Sequence, residues 1–200
     1  MMIINELILE SLGATTEQYH AGESIFAEDE VPKYYYQIIS GKVKLNNYNH
    51  EGREVLQTIL ETGQSIGESL LFVDDVTYPV NAVAITVCKI FKLRKSAFLT
   101  MLDRNPEISL MMNRHLSQIL YFKQKMGPIL CTNSPTFKIR SLLDYLKSSQ
   151  QEKEPFAFQV PYTRQELANL TGLCVETTIR TIKGMERNNI LRIRNRKILY

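Results

Sequence analysis

Short runs that alternate apolar and polar residues fill the first half of the chain. Ala21–Phe26 reads as a turn into a strand, and Tyr34–Ile39 as a strand that stops at Ser40-Gly41. Lys42–Asn47 alternates, with Val43 and Leu45 on one face. Asn49–Gly52 has the composition of a hairpin turn, and Val55 and Ile59 carry the pattern onward. Gly63 and Gly67 punctuate the next stretch, and Asn81–Leu93 alternates again through Ala82, Ala84 and Val87. Strands this short at this spacing predict a closed or sandwiched all-β unit over roughly residues 18–95. A short amphipathic helix at residues 4–12 precedes it.

The period then changes. Ser96–Asn105 predicts a short helix, and Asn105-Pro106-Glu107 the start of a long one, because proline in the first turn with an acid beside it suits a helix N-terminus. The pattern predicts an end near Met126, before Gly127-Pro128, hence a length of about 33 Å. Ile108, Met112, His115, Ile119, Phe122 and Met126 recur in steps of four and three, as in a heptad seam, and Met111, Leu116 and Leu120 widen it. A helix apolar on two sides needs two partners. One is the β unit. The other is the same helix of a second subunit, with Met112, His115, Leu116, Ile119, Leu120 and Phe122 as the pairing residues. Burial within one chain is the competing arrangement.

Beyond a linker or hinge at Ser134-Pro135, Phe137–Leu146 predicts a helix, Ser148–Glu154 a polar loop and Phe156–Pro161 a short strand. In residues 163–183, Leu167, Ala168 and Leu170 form a short apolar face and Gly172 breaks the run. Val175, Ile179 and Ile182 then recur as the inner side of a second helix, which leaves Glu176, Thr177, Thr178, Arg180 and Lys183 outside. Two short helices around a glycine turn, the second carrying side chains able to read bases, form the pattern of a helix-turn-helix. Ile190–Tyr200 reads as two strands around a basic turn, a hairpin able to lay Arg194, Arg196 and Lys197 along phosphates.

With 44% hydrophobic and 22% charged residues, the 200-residue chain can bury a core and is not of disordered composition. No apolar run approaches membrane-spanning length and the N-terminus has no signal-peptide layout, so we expect a soluble cytoplasmic protein with no membrane partner. Cys88, Cys131 and Cys174 lie far apart and match no metal spacing, which excludes an iron–sulfur cluster held by clustered cysteines and predicts reduced thiols. The net charge of +3 is divided unevenly. Residues 138–200 hold twelve Lys/Arg and six Asp/Glu (+6), and residues 1–137 hold twelve and fifteen (−3). A polyanionic partner is therefore expected at the C-terminal end.

Together these features resemble the Crp/Fnr family of bacterial transcription regulators over nearly the whole chain. The marks are Ile38-Ile39-Ser40-Gly41-Lys42-Val43, Gly63, Gly67-Glu68 and Asn105-Pro106-Glu107. The strongest is Thr163-Arg164-Gln165-Glu166-Leu167-Ala168, followed by Gly172-Leu173, Val175-Glu176-Thr177 and Arg180. The resemblance implies an α+β chain. A β-roll sensor domain would occupy residues 1–104, a dimerisation helix and hinge 105–130, and a winged helix-turn-helix DNA-binding domain 131–200.

Two departures sharpen the reading. Members that bind cyclic AMP carry an Arg-Ser or Arg-Thr pair about ten residues after the Gly-Glu, and the arginine holds the phosphate. Here those positions are Tyr78-Pro79, no Lys or Arg occurs between Ser69 and Cys88, and Asp74 and Asp75 would repel an anion. Cyclic AMP is therefore not expected to bind, and no cofactor is predicted. The pocket implied by the resemblance, Gly67, Glu68, Tyr78, Pro79 and Val80 with Lys123 and Gln124, is degenerate. His20, His50 and the methionines are residue types that can ligate haem, but nothing in their spacing points to it.

The second departure is Val175, where cyclic-AMP-type regulators have arginine before the Glu. Val-Glu-Thr followed by Arg resembles the Fnr side, which implies a TTGA-like half-site read by Glu176 on cytosine N4 and Arg180 on guanine. Ile179 stands where the Fnr pattern has serine and offers a thymine methyl an apolar contact. Arg164, Thr177 and Lys183 are placed for phosphates.

The reading that follows is a homodimeric regulator binding palindromic double-stranded DNA, with RNA polymerase as a partner and promoter activation as the implied sign. A regulator whose β-roll is purely structural is the alternative. A cupin-type enzyme is remote, because the chain offers only His20, His50 and His115 as imidazole ligands.

Overall fold

The computed structural model describes residues 3–52, 54–148 and 154–200. The chain forms two compact units, Met1–Leu120 and Tyr121–Tyr200.

In the first unit a short helix α1 (Glu6–Ser11) is capped by Asn5, whose side chain accepts from the Leu7 N–H at 2.9 Å. Eight strands follow: β1 (Thr15–Tyr19), β2 (Ser24–Phe26), β3 (Tyr34–Ser40), β4 (Lys42–Tyr48), β5 (Glu54–Glu61), β6 (Ser65–Ile66), β7 (Asn81–Ala84) and β8 (Cys88–Arg94). They build two antiparallel four-stranded sheets, in the orders β1-β8-β3-β6 and β2-β7-β4-β5. β1 begins ahead of the predicted unit, and the Asn81–Leu93 alternation is split by a bend at residues 85–87.

The space between the sheets is filled by Phe26, Tyr36, Ile38, Val43, Ile66, Tyr78, Ala82 and Ile90. The outer face of the first sheet is covered as well. Tyr35, Phe91 and Leu93 meet Leu9 of α1, Phe98 and Met101 of α2 (Lys95–Arg104), and Met112 of α3 (Pro106–Leu130). β3 is thus buried on both faces, which explains its nearly unbroken apolar run.

The exception in that run is Gln37, fully buried on the helix side. Its Oε1 accepts from the Ile4 N–H at 3.0 Å and from the Tyr35 hydroxyl at 2.7 Å, and its Nε2 donates to the Ile4 carbonyl at 2.8 Å. One amide therefore fastens the N-terminal segment to β3. Gln37→Ala leaves the Ile4 N–H and carbonyl unpaired, and urea denaturation should show a loss of about 2 kcal/mol with an unchanged slope.

α3 runs four residues past its predicted end, through Gly127-Pro128 to Leu130. Proline removes one N–H, but Gln124, Gly127 and Pro128 are all exposed, so water can hydrate the freed Gln124 carbonyl. Met126 and Ile129, on either side of the proline, both pack on the second unit's core and hold the last turn.

That second unit contains α4 (Pro135–Ser148), α5 (Arg164–Thr171), α6 (Val175–Arg187), β9 (Arg192–Arg194) and β10 (Lys197–Leu199). Its core joins Ile139, Leu142 and Leu143 of α4 to Leu167, Ile182, Met185, Leu191 and Ile198. The predicted loop at 148–154 lies largely outside the described residues. The predicted strand at 156–161 is reduced to one bridge, Gln159 to Leu199. Phe156 lies in the left-handed region (φ 62) and Pro161 lacks an N–H, so too few extended residues remain between them.

Candidate nucleic-acid interface and effector cradle

The helix-turn-helix is fixed at each joint. Thr163 caps α5 by accepting from the Glu166 N–H at 3.2 Å, and the Glu166 carboxylate accepts from the Thr163 N–H at 2.6 Å, a complete capping box. At the other end Gly172 (φ 64) lets the chain turn, with Leu173 N–H donating to the Ala168 carbonyl at 2.9 Å and Gly172 N–H to Asn169 at 3.2 Å, a Schellman closure.

α6 then packs through Thr178, Ile182 and Met185. This corrects the predicted inner face: Ile179 is 38% exposed and Thr178 is fully buried. The physical reason is phase. Thr178, Ile182 and Met185 hold one 3.6-residue stripe, and Ile179 falls off it. The Thr178 hydroxyl has no partner among the described residues.

The outward face carries Glu176, Ile179, Arg180 and Lys183, all exposed, at the i, i+3, i+4 and i+7 positions of one stripe. Neither Glu176 nor Arg180 has a hydrogen-bond or ion-pair partner among the described residues. Val175 and Thr177 are half-buried. The Thr177 hydroxyl lies 3.0 Å from the exposed Cys174 thiol and, by bonding to it, holds that thiol below its usual range. Arg187, unnoticed in the sequence, extends the same stripe; its spacing of four from Lys183 was the available signal.

β9 and β10 form the expected hairpin. Asn195 (φ 48) and Arg196 (φ 63) both occupy the left-handed region, as a type I′ turn requires. Arg194, Arg196 and Lys197 are exposed along it. Arg164, expected on phosphate, is half-buried and donates through Nη1 to the Arg196 carbonyl, so part of its guanidinium positions the wing.

The cradle in the first unit is occupied by the chain itself. Gly67 (φ 68) opens a short 3-10 helix, Glu68–Phe72. A Cβ on Gly67 would come within 2.9 Å of Tyr78 and 3.2 Å of Phe26. Those two rings stack at 3.6 Å between centroids, only 9° from parallel, and Tyr78 is 2% exposed. Glu68 is 3% exposed, and its Oε1 lies 2.9 Å from Nε2 of His115 on α3, which also lies 3.4 Å from the Ser65 hydroxyl. Pro79 is exposed and Val80 half-buried; Lys123 and Gln124 are exposed and belong to the second unit.

The long-helix residues divide. Met112 is 1% exposed within its own chain, so it is no surface position, and His115 is taken by Glu68. Leu116, Ile119 and Phe122 are half-buried, and Leu120 is 57% exposed. Cys88 is buried, while Cys131 and Cys174 are exposed and unbridged. Among the described residues no three His, Cys, Asp or Glu side chains cluster as metal ligands would, and no helix is long and apolar enough to cross a membrane.

Known proteins share this arrangement. Residues 16–105 match the cyclic nucleotide-binding domain model and residues 139–200 the Crp-like helix-turn-helix domain model, together about three quarters of the chain. The cAMP-activated global transcriptional regulator CRP of Haemophilus influenzae is 27% identical over 181 residues, 90% of this chain and 78% of that one. The CRP-like cAMP-activated global transcriptional regulator of Mycobacterium tuberculosis is 27% identical over 197 residues, 94% of this chain and 87% of that one. Among solved structures, a CooA mutant from Carboxydothermus hydrogenoformans superposes with a TM-score of 0.82 at 16% identity, covering 98% of this chain and 87% of that one. The c-di-GMP responsive global regulator CLP of Xanthomonas campestris does so with 0.76 at 23%, covering 96% of each. With a nucleotide-binding-type roll, a long helix and a Crp-like DNA-reading unit in this order, the chain belongs to the Crp/Fnr family of DNA-binding transcription regulators.

Proposed function

We propose that the protein regulates transcription as a homodimer on a palindrome with TTGA-like half-sites, and that cyclic AMP is not its signal. The observation that carries the DNA reading is the exposed, unpaired Glu176–Arg180 stripe on α6. A carboxylate suits the cytosine amino group and a guanidinium fork suits guanine O6/N7. Lys183, Arg187, Arg194, Arg196 and Lys197 add charge for phosphates, which orient the helix without reading sequence. RNA polymerase contact and promoter activation follow from the family only.

A cyclic phosphate buried without a cation is poorly stabilised. Here Tyr78 and Phe26 fill the space over Gly67, and His115 engages Glu68. Admitting a nucleotide would require breaking that stack and the Glu68 contact with no arginine to stabilise the phosphate. For pairing, the solvent face of α3 offers Leu110, Asn113, Ser117 and Leu120 in steps of three, four and three, all exposed.

Selection of bound duplexes from a random pool tests the reading. A palindrome whose TTGA-like halves sit about 34 Å apart is the expected product, with the same enrichment and the same Tm in millimolar cyclic AMP. A non-palindromic product sinks the dimer reading. A Tm rise of several degrees with the nucleotide sinks the reading of Tyr78-Pro79.

A further inference from the structure

The β9–β10 hairpin is supported unequally on its two edges. Its two-residue turn makes Arg194 and Lys197 a hydrogen-bonded pair, so the Ile193 N–H, one residue earlier, faces away from β10. β10 is paired on its far side, where the Val160 N–H donates to the Ile198 carbonyl at 2.9 Å and Gln159 bridges Leu199. Among the described residues no strand pairs with the outer edge of β9. There the Ile193 N–H donates instead to Oε1 of Glu186 at 3.0 Å.

Glu186 is half-buried near the end of α6, the helix that carries Glu176 and Arg180. It has no cationic partner among the described residues. A negative charge in a unit that meets phosphates opposes binding, so the acid is unfavourable there unless its bond compensates. A carboxylate on a backbone N–H makes a strong, directional bond, and a two-stranded hairpin is marginal without such support. Arg192 and Arg194 flank Ile193 and are both exposed. Arg192 is held 4.2 Å over the Phe156 ring, whereas Arg194 has no ion-pair partner among the described residues.

We propose that Glu186 is a positioning residue for DNA binding, fixing β9 against α6 so that Arg194 meets a phosphate of the same duplex that α6 enters. This rests on α6 being the reading helix. Arg180→Ala tests that helix separately, because Arg180 lies on its outward face and does not touch the hairpin.

Phosphate contacts do not depend on sequence, so titration of the full-length protein with a mixed-sequence duplex at several salt concentrations is sufficient. Glu186→Asp keeps the charge but withdraws the carboxylate by one methylene. It should bind about fivefold more weakly, with a salt slope shallower by about one phosphate contact per chain. Glu186→Gln keeps an acceptor and sheds the charge, and should bind as tightly as the unaltered chain or more tightly. Arg194→Gln should weaken the unaltered chain about fivefold but the Glu186→Asp chain by about twofold at most, because a loosened hairpin holds no fixed arginine to lose. Glu186→Asp with unaltered affinity and slope, Glu186→Gln weaker than Glu186→Asp, or equal cost of Arg194→Gln in both backgrounds overturns the proposal. Any of these beside an Arg180→Ala variant that loses sequence discrimination faults the hairpin's role alone.

Discussion

Arg180→Ala should abolish discrimination of the TTGA-like core. On the proposed reading each half-site loses a bidentate contact to guanine, about 1–3 kcal/mol, so the palindrome loses about 2–6 kcal/mol, roughly thirtyfold to twenty-thousandfold. The folded chain should barely notice, because Arg180 is exposed and makes no ion pair among the described residues. Competition titrations against duplexes changed at single positions measure this directly. The diagnostic is selective loss, in which site DNA falls towards the level of random DNA. Lys183→Ala, one helical turn along the same stripe, should weaken both DNAs alike and flatten the salt dependence. If Arg180→Ala keeps its sequence preference, the role assigned to Arg180 is wrong.

A second large effect is expected at the solvent face of α3. Leu110 and Leu120 are 51% and 57% exposed, large costs for aliphatic side chains in isolation. A double Leu110→Glu, Leu120→Glu variant sets like charges opposite each other in a two-fold pairing, and sedimentation should show monomers. Each monomer then holds one half-site, and affinity for the palindrome should fall by about 10²–10⁴-fold while a single half-site is bound as before. Monomers that retain full palindrome affinity would sink the dimer reading. A variant that remains dimeric moves the pairing surface elsewhere on the chain. Met112→Glu is no substitute for this test, since Met112 lies in the core formed with Phe98 and Met101.

Much of the fold was legible because its signals are local. Alternation marked β3, β4 and the hairpin into β5, and Gly172 marked the end of α5. Three features were not, each for a distinct physical reason. Pro128 reads as a helix stop, but hydrophobic burial of Met126 and Ile129 outweighs one missing hydrogen bond. Ile179 reads as core because it is apolar, yet Thr178 shares the stripe of Ile182 and Met185; only the phase carried through Met185 shows this. His115 fits a heptad seam by spacing, while its partner Glu68 lies 47 residues earlier and no periodicity records that contact. The basic hairpin turn and the exposed charges of α6, Glu176, Arg180 and Lys183, were visible in the sequence, since charge at exposed helical spacing needs no tertiary information.

The double burial of β3 has a consequence for the unfolded chain. Tyr34 to Ile39 contains no charge, no proline and no glycine. Native packing hides this segment between the opposing sheet and the helices, but heating releases it as a six-residue stretch suited to cross-β self-association. Lys33 and Lys42 bracket it as gatekeepers. Thermal denaturation should accordingly end in aggregation, so that the apparent midpoint depends on scan rate and protein concentration.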